Sequence, residues 1–255
     1  MPLTSMIEPR RILEILRELT QLALNVVYPP ECPSCRAPVD TMHNLCSDCF
    51  ARVRMIAKPL CACCGVPFVV PMEGENQCPQ CLDVPPAFTR ARSVMVYDAV
   101  SAPLITALKF HDQWAGLRRY DMMLQHAGAE LLETADILAP IPLHWRRLWQ
   151  RKYNQSALLA YGVAKRVNVP CIPHLMVRTR RTKPQMKLKR AERLKNVRNA
   201  FAVTPKCVEQ VRDKHIVLID DVMTTGATAD VCAQALRKAG AREVSVLTLA
   251  RTVRE

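Results

Sequence analysis

The chain has 255 residues, of which 49% are hydrophobic and 23% are charged, and its formal net charge is +13. This apolar content excludes a wholly disordered chain, and the length allows one ordinary domain with a small accessory module. No apolar run approaches the roughly 18 residues of a membrane-spanning helix, so we expect no membrane span.

Residues 10–27 predict an amphipathic helix that ends before Pro29 and Pro30. Its polar face carries mixed charge, which favours packing on the rest of the protein over binding to a membrane surface. Charged residues interrupt the apolar N-terminal segment at Glu14, Arg17 and Glu18, so we expect no export signal. We therefore expect a cytoplasmic protein in which residues 1–28 form a helical segment before the first domain.

Cysteines are concentrated between residues 31 and 86, and Pro85 and Pro86 are the expected linker that closes this module. In a reducing compartment, C-x-x-C pairs are metal ligands more often than disulfides. Four such pairs occur within fifty residues, and their members are Cys32, Cys35, Cys46, Cys49, Cys61, Cys64, Cys78 and Cys81. We assign residues 29–90 to a double zinc ribbon.

The four pairs form one pattern that occurs twice. Ten residues separate Cys35 from Cys46 in the first half, and thirteen separate Cys64 from Cys78 in the second. Two C-x-x-C turns supply the four thiolates of a tetrahedral Zn²⁺ site, and a closed shell of four protein ligands indicates a structural role. Sequential pairing and interleaved pairing both satisfy the spacing, and we favour sequential pairing. Cys63 is a spare thiol that can take the place of a ligand in the second half.

From about residue 91 the hydrophobic pattern alternates between short strands and helices. Strands are predicted near residues 93–98, 137–140, 215–220 and 244–250. Helices are predicted over residues 117–133, 155–167 and 228–238, and Gly240 ends the last one. This alternation predicts an α/β domain over residues 91–255, with a parallel sheet covered on both faces.

The excess positive charge lies in two stretches, residues 141–152 with +4 and residues 178–198 with +9. Solvated loops are one explanation of these two stretches. Docking of a polyanion is the explanation we favour, because the segment discussed next predicts a phosphate site that the two stretches flank. Trp145, Trp149 and Tyr153 are suited either to stacking on bases or to core packing. The basic candidates for pyrophosphate or nucleic-acid binding are Arg146, Arg147, Arg151, Lys152, Arg178, Arg180, Arg181, Lys187 and Lys189.

The segment from His215 to Thr228 predicts a buried strand, two acids at its carboxyl end, and a small, hydroxyl-rich turn before a helix. Backbone N–H groups and hydroxyls in such a turn suit a phosphate, whereas the acids suit sugar hydroxyls or Mg²⁺. An ordinary Asp-Asp turn before a Thr-capped helix is the alternative. The candidate phosphoribose-binding residues are Asp220, Asp221, Val222, Met223, Thr224, Thr225, Gly226, Ala227 and Thr228.

That segment resembles the phosphoribosyl pyrophosphate motif of type I phosphoribosyltransferases. The whole chain after residue 28 resembles the ComF/GntX family of competence-related proteins, which join a double zinc ribbon to a phosphoribosyltransferase-like domain. Further residues that carry the resemblance are Leu108, Lys109 and Phe110, residues 140–147, residues 153–156, and Arg178, Thr182, Gln185, Arg193 and Asn196.

The resemblance implies that Asp220 and Asp221 contact the ribose hydroxyls and that residues 224–228 hold the 5-phosphate. It also implies a pyrophosphate loop at residues 141–152 and a mobile loop around residues 178–190. Basic residues there can neutralise a leaving pyrophosphate, although the sequence shows no catalytic residue and no acceptor pocket.

Two functions follow from this resemblance. The first is a phosphoribosyl pyrophosphate-binding protein that uses Mg²⁺ and handles single-stranded DNA during natural transformation, together with the DNA-uptake machinery. The second is an active phosphoribosyltransferase that transfers a 5-phosphoribosyl group to an acceptor. We favour the first, because ten basic residues in the second stretch exceed what one pyrophosphate needs.

Overall fold

The computed structural model describes residues 29–40, 45–70, 74, 76–110, 117–143, 153–179 and 200–253. Its internal contacts divide the chain into two compact units, Met1–Ala51 and Arg52–Glu255. The helix predicted over residues 10–27 lies outside the described residues. Within the described ranges, no helix combines the length and the apolarity that crossing a bilayer requires.

The described part of the first unit consists of a tight turn followed by a short helix. The Cys32 N–H donates to the carbonyl of Ala37 at 2.7 Å, and the Arg36 N–H donates to the carbonyl of Cys32 at 2.8 Å. Arg36 takes the left-handed conformation with φ of 64°. Helix α1 (Ser47–Ala51) then carries the buried Cys49.

The second unit begins with the same local structure. The Cys61 N–H donates to the carbonyl of Val66 at 2.8 Å, and the Gly65 N–H donates to the carbonyl of Cys61 at 2.9 Å. Gly65 has φ of 68°, close to that of Arg36 at the equivalent position. Helix α2 (Pro79–Asp83) carries the buried Cys81. The repeated spacing of the cysteines thus corresponds to a repeated backbone.

The described part of the second unit has six strands: β1 (Arg90–Val96), β2 (Ile137–Pro140), β3 (Met176–Arg178), β4 (Phe201–Val203), β5 (His215–Met223) and β6 (Glu243–Arg251). Four of them form a parallel sheet in the order β1-β6-β5-β2. Residues 216–219 of β5 are fully buried, as expected for an aliphatic strand covered on both faces. The predicted α/β fold with a parallel sheet is confirmed.

Helices cover both faces of this sheet. After α2, the helices of the described part of this unit are α3 (Ser101–Phe110), α4 (Leu117–Ala127), α5 (Ala129–Leu132), α6 (Gln155–Val167), α7 (Val208–Val211) and α8 (Ala227–Lys238), and a 3₁₀ turn (Pro205–Cys207) precedes α7. Helices α4 and α6 pack against each other. Helix α4 contacts β1 and β6, whereas α6 contacts β2 and β5. Helix α8 packs against β6 and β4.

Several features of this unit differ from the sequence prediction: helix α3 was not predicted, and β5 runs to Met223 instead of ending near residue 220. The helix predicted over residues 117–133 is two helices, interrupted at Gly128, where a Cβ would overlap the side chain of Leu247 in the sheet. Strands β3 and β4 were not predicted, and they form an antiparallel pair in which Met176 lies opposite Val203 and Arg178 opposite Phe201. Three residues per strand are too few to give a hydrophobic period.

The second cysteine ribbon rests on the backbone of β1. The Ala91 N–H donates to the carbonyl of Cys63 at 2.6 Å, and a guanidinium N–H of Arg92 donates to the carbonyl of Ala62 at 3.2 Å. A Cβ on Gly65 would overlap the carbonyl oxygen of Ala91. Close approach to β1 therefore requires glycine at this position, whereas the equivalent residue in the first ribbon is Arg36.

We expect Gly65→Ala to lower the free energy of unfolding by about 2 kcal/mol or more, since the left-handed backbone alone costs roughly 1–2 kcal/mol for a residue with a Cβ. Denaturant unfolding of the two proteins measures this difference. Gly74→Ala is the matched control, because Gly74 has φ of 76° but no described atom lies within 4 Å of its Cβ position. Equal losses in the two variants would contradict a tight contact between the ribbon and β1.

Candidate functional site

Asp220 and Asp221 lie in the last part of β5, which pairs with β6 as far as Met223, and the turn of residues 224–226 then leads into α8. Residues 215–219 are buried, whereas Asp220, Asp221 and Val222 are partly exposed. Gly226 caps α8 in the left-handed conformation with φ of 77°, and the Thr225 hydroxyl accepts from the Ala227 N–H at 3.4 Å. First-turn N–H groups lack intrahelical acceptors and carry the positive end of the helix dipole, so the turn has the donors that an anion needs.

Short hydrogen bonds hold the two acids at this edge of the sheet. The Ser156 hydroxyl donates to Oδ1 of Asp220 at 2.8 Å, and the same oxygen accepts from the Asp221 N–H at 2.9 Å. Oδ1 of Asp221 accepts from the Val222 N–H at 2.7 Å. Both carboxylates are therefore oriented by the protein before any ligand arrives.

Helix α6 fixes Ser156 through its own N-terminal cap. The Asn154 side chain accepts from the Ser156 N–H at 3.1 Å and donates to the carbonyl of Ile141 at 3.3 Å. The Ile141 N–H in turn donates to the carbonyl of Ile219 in β5 at 2.9 Å. Sequence reasoning predicted the helix over residues 155–167, but it noted Asn154 and Ser156 only through resemblance. Asn154 was a local signal for the start of the helix, whereas no local signal places Ser156 beside Asp220.

Arg178 is the one member of the predicted basic set that lies in the described part of the chain. Its guanidinium lies over the ring of Phe201, 5.2 Å from the ring centroid. Burial raises the pKa of the Cys232 thiol well above its usual value, the Asp220 carboxylate adds to that effect, and the Arg178 guanidinium opposes it. Asp220 and Arg178 thus act with opposite sign on the same buried thiol of α8.

The other predicted basic residues lie outside the described residues. They are Arg146, Arg147, Arg151, Lys152, Arg180, Arg181, Lys187 and Lys189. Trp145 and Trp149 also lie outside, whereas Tyr153 is partly buried just before α6.

Eight cysteines form two compact clusters in the described part of the chain. The first contains Cys32, Cys35, Cys46 and Cys49, and the second contains Cys61, Cys64, Cys78 and Cys81. In each cluster all four sulfur atoms lie within 4.8 Å of one another, which is the sequential grouping of the C-x-x-C pairs. Cys63 falls outside the second group, and burial raises the pKa of its thiol to about 11.

The donor chemistry of the clusters fits Zn²⁺. Burial opposes ionisation of Cys61, but the N–H groups of Cys78 and Cys64 outweigh it and lower the pKa of this thiol to about 7. Those N–H groups lie 3.3 and 3.4 Å from the Cys61 sulfur. Burial and the neighbouring Cys64 raise the pKa of Cys81. Such thiols cannot all ionise without a cation, and four sulfurs close the tetrahedral shell that zinc prefers.

Comparison with known proteins identifies both parts of the chain. The double zinc ribbon domain matches residues 23–82, and the phosphoribosyl transferase domain matches residues 154–254. The chain is 34% identical over 234 residues to the DNA utilization protein YhgH of Escherichia coli (strain K12), a match that covers 89% of this chain and 100% of that protein. The chain belongs to the ComF/GntX family.

Two further relatives have names that refer to competence. Competence protein F of Haemophilus influenzae is 28% identical over 226 residues, covering 86% of this chain and 96% of that protein. Competence protein ComFC of Bacillus subtilis is 26% identical over 226 residues, covering 82% and 85%. The family that the sequence resemblance predicted is thereby confirmed, and the two cysteine clusters are those of its double zinc ribbon, which supports structural zinc.

In this ComF/GntX protein the second ribbon contacts the sheet close to the turn of residues 224–226. A guanidinium N–H of Arg251, the last residue of β6, donates to the carbonyl of Cys64 in the second cysteine cluster. The Thr252 N–H donates to the carbonyl of Met223 at 3.1 Å, at the point where β5 ends. The second cysteine cluster and the turn after β5 are thus joined through two adjacent residues. Sequence periodicity carries no signal for this contact.

Proposed function

We propose that this protein binds 5-phosphoribosyl pyrophosphate with Mg²⁺ at residues 220–228 and handles single-stranded DNA in DNA uptake. The observation that carries the proposal is the pre-oriented Asp220 and Asp221 pair directly before a helix N-terminal turn. An anion-binding turn beside two carboxylates matches a molecule that carries a phosphate at one end and hydroxyl groups next to it. The names of the relatives, which refer to DNA utilisation and competence, support the biological role.

Each part of the turn has a chemical task in this proposal. The N–H groups of the first turn of α8 and the hydroxyls of Thr224, Thr225 and Thr228 hold the 5-phosphate. Asp220 and Asp221 accept hydrogen bonds from the ribose hydroxyls, and their carboxylate oxygens are the ligand type that Mg²⁺ prefers. Mg²⁺ would neutralise charge on the pyrophosphate. Ser156 keeps the Asp220 carboxylate in place through its 2.8 Å hydrogen bond.

The basic stretches supply the path for single-stranded DNA. Residues 141–152 directly follow β2, the neighbour of β5, and therefore start at the same edge of the sheet as the turn. Residues 178–198 start at Arg178 and return through β4, so both ends of this stretch are anchored in one antiparallel pair. A cationic path beside a phosphate pocket suits a polyphosphate backbone, with aromatic residues available for stacking.

We expect the affinity for a single-stranded oligonucleotide to fall steeply with salt, the logarithm of affinity decreasing by roughly 0.7 per neutralised phosphate for each unit of log salt. Replacing Arg180, Arg181, Lys187 and Lys189 together by Ala should reduce both the affinity and this slope, because fewer counterions are released on binding. Fluorescence anisotropy at several salt concentrations measures both quantities.

A matched variant distinguishes a DNA path at residues 178–198 from an effect of the net charge of the protein. Lys165, Lys206, Arg212 and Lys238 are exposed and lie outside both basic stretches, so replacing these four by Ala removes the same charge elsewhere. In this control variant, the logarithm of oligonucleotide affinity should fall with log salt at the same slope as in the unmodified protein. Equal slopes in the two quadruple variants would contradict a DNA path at residues 178–198.

A second candidate function is phosphoribosyl transfer to an acceptor, which the match of the phosphoribosyl transferase domain to residues 154–254 favours. Departure of pyrophosphate leaves positive character on the ribose C1, so a transferase needs cations on the leaving group. Release of pyrophosphate from phosphoribosyl pyrophosphate, assayed with candidate acceptors, distinguishes the two. Acceptor-dependent release would establish the transferase, whereas binding without release supports a binding protein.

A further inference from the structure

A cavity of about 370 Å³ extends from the turn of residues 224–227 to the second cysteine ribbon. Val66, Gln80 and Val84 belong to the ribbon side of its wall. The ring of Phe88 lies beside the turn, since a Cβ at Gly226 would be only 3.7 Å from it. The volume is within the range of roughly 300–1,000 Å³ that small-molecule sites have, and a phosphate alone fills a small part of it. A ligand whose phosphate lies on the turn therefore has room for a further group on the ribbon side.

The acid pair lies outside this cavity. Residues 224–227 line it, whereas neither Asp220 nor Asp221 does. In the sheet, β5 has β2 on one side and β6 on the other. Ser156, which holds Asp220, belongs to α6 on the β2 side, whereas Arg251 of the cavity wall is at the end of β6. A phosphate on the turn thus has the acids on one side and the cavity on the other.

The ribbon side of the cavity favours an uncharged group. Cys64, Cys78 and Cys81 of the second cluster are part of the wall. Four thiolates outweigh the charge of one Zn²⁺, so this cluster is anionic when it holds zinc. Arg251, which is 7% exposed and donates to the carbonyl of Cys64, balances part of that charge. A second anion on the ribbon side would be repelled by the cluster, whereas a neutral group would not.

The remaining wall suits a flat heterocycle. Val66, Val84 and Phe88 supply apolar surface for the face of a ring, and Gln80 adds a side-chain amide, which has both donors and an acceptor for the edge of a ring. A nucleoside is neutral and carries such a ring. When a nucleoside is esterified to a phosphate on the turn, that phosphate becomes a phosphodiester, which is the linkage of a nucleic-acid strand.

The acid pair limits which nucleotide of a strand can place its 5′-phosphate on the turn. The carboxylates of Asp220 and Asp221 are held in place by the Ser156 hydroxyl and the Val222 N–H. As acceptors they bind a sugar hydroxyl, and as anions they repel a phosphate. An internal nucleotide carries a phosphate on its 3′ oxygen, whereas the last nucleotide of a strand carries a hydroxyl there. Only the last nucleotide therefore satisfies both the acids and the turn.

We infer that residues 220–228 and this cavity bind the 3′ end of single-stranded DNA. The terminal 3′-hydroxyl lies at Asp220 and Asp221, the last phosphodiester lies on the turn, and the penultimate nucleoside lies against Phe88 and Val66. This inference rests on the function proposed for residues 220–228 and names the part of the strand that the site takes. The second ribbon then forms one wall of the ligand site as well as a structural module.

Two isomeric DNA strands test this inference on the zinc-loaded full chain. Both have the same short sequence, and a single terminal phosphate is placed at the 5′ end of one strand and at the 3′ end of the other, so their charges are equal. Calorimetric titration is done without Mg²⁺, because this ion can bridge a phosphate and a carboxylate. We expect the strand with the free 3′-hydroxyl to bind about tenfold more tightly or more, because a 3′-phosphate is repelled by the acids. Equal affinities, or tighter binding of the 3′-phosphate strand, would overturn the inference.

Asp220→Asn combined with Asp221→Asn should bring the two affinities to within about twofold of each other, because amides do not repel a phosphate. A preference that persists in this variant would place the 3′ end elsewhere. The thermal shift caused by phosphoribosyl pyrophosphate with Mg²⁺ distinguishes the two possible failures. A normal shift with equal strand affinities would overturn only the 3′-end inference, whereas the absence of a shift would contradict the phosphoribose site itself.

Thymidine 5′-monophosphate and the dinucleotide in which two thymidines share one phosphate test the cavity. The dinucleotide carries less negative charge, but we expect it to bind more tightly because its first nucleoside enters the cavity. Gln80→Ala should weaken the dinucleotide about threefold and leave the monophosphate unchanged, because a hydrogen bond to the first base is lost. Gln77→Ala is the matched control, since both glutamines are exposed but only Gln80 lines the cavity. Tighter binding of the monophosphate, or equal effects of the two variants, would overturn the placement of a nucleoside in the cavity.

Discussion

Cys61→Ala should destabilise the whole of the second unit, whereas Cys32→Ala should unfold only the first ribbon. Cys61 belongs to the same buried apolar cluster as residues of the sheet and α8, including Leu218 and Leu236. Binding of structural zinc contributes about 10–16 kcal/mol in small zinc modules, which is comparable to the roughly 5–15 kcal/mol that stabilises a whole domain. Loss of a ligand to the second zinc should therefore remove much of the stability of the unit.

Elemental analysis and calorimetry test this expectation together. The unmodified chain should hold close to two zinc ions, and each variant should lose one of them. The main unfolding transition should shift down by about 10 °C or more in Cys61→Ala and by much less in Cys32→Ala. Cys171→Ala is the control, since Cys171 is partly buried and lies outside both clusters. A Cys61→Ala protein with an unchanged main unfolding transition would contradict the expectation that the second ribbon stabilises the whole second unit.

The second large effect concerns the acid pair. Phosphoribosyl pyrophosphate with Mg²⁺ at 100 times its Kd should stabilise the protein by about 2.7 kcal/mol, a rise in Tm of roughly 5–10 °C. Asp220→Asn combined with Asp221→Asn should remove that rise. The exchange is nearly isosteric, and an amide oxygen can still accept from the Ser156 hydroxyl, so the fold should persist while the charge for Mg²⁺ is lost.

Two controls separate charge at the site from charge in general. Asp213→Asn changes an exposed acid away from the turn and should leave the ligand-induced rise unchanged. Chelation of Mg²⁺ should reduce the rise in the unmodified protein, because the pyrophosphate charge is then not neutralised. A full rise in the double Asn variant would mean that the ribose and Mg²⁺ lie elsewhere.

The sequence predicted those parts of the fold that a local pattern encodes. Residues 137–140 and 216–219 are continuous aliphatic runs, and both are buried strands of the parallel sheet. The helix predicted over residues 155–167 has those same bounds in the structure, because its capping residue Asn154 and its apolar period are both local signals. The cysteine spacing predicted two four-sulfur clusters for the same reason.

Features that depend on tertiary contact were not predictable in this way. Strand order, the β3 and β4 pair, and the hydrogen bond between Ser156 and Asp220 join residues far apart in sequence. The contact of the second ribbon with β1 and Arg251 creates a cavity that neither segment contains alone. Gly65 is the residue in the ribbon sequence that this contact requires to be glycine, but a sequence pattern does not distinguish it from an ordinary turn glycine.

A crystal structure of the protein soaked with phosphoribosyl pyrophosphate and Mg²⁺ tests the central claim most directly. We predict the 5-phosphate within hydrogen-bond distance of the N–H groups of residues 225–228, with the ribose hydroxyls at the carboxylates of Asp220 and Asp221. Saturating ligand that leaves this turn empty, or that binds at another surface, would contradict the assignment of residues 220–228.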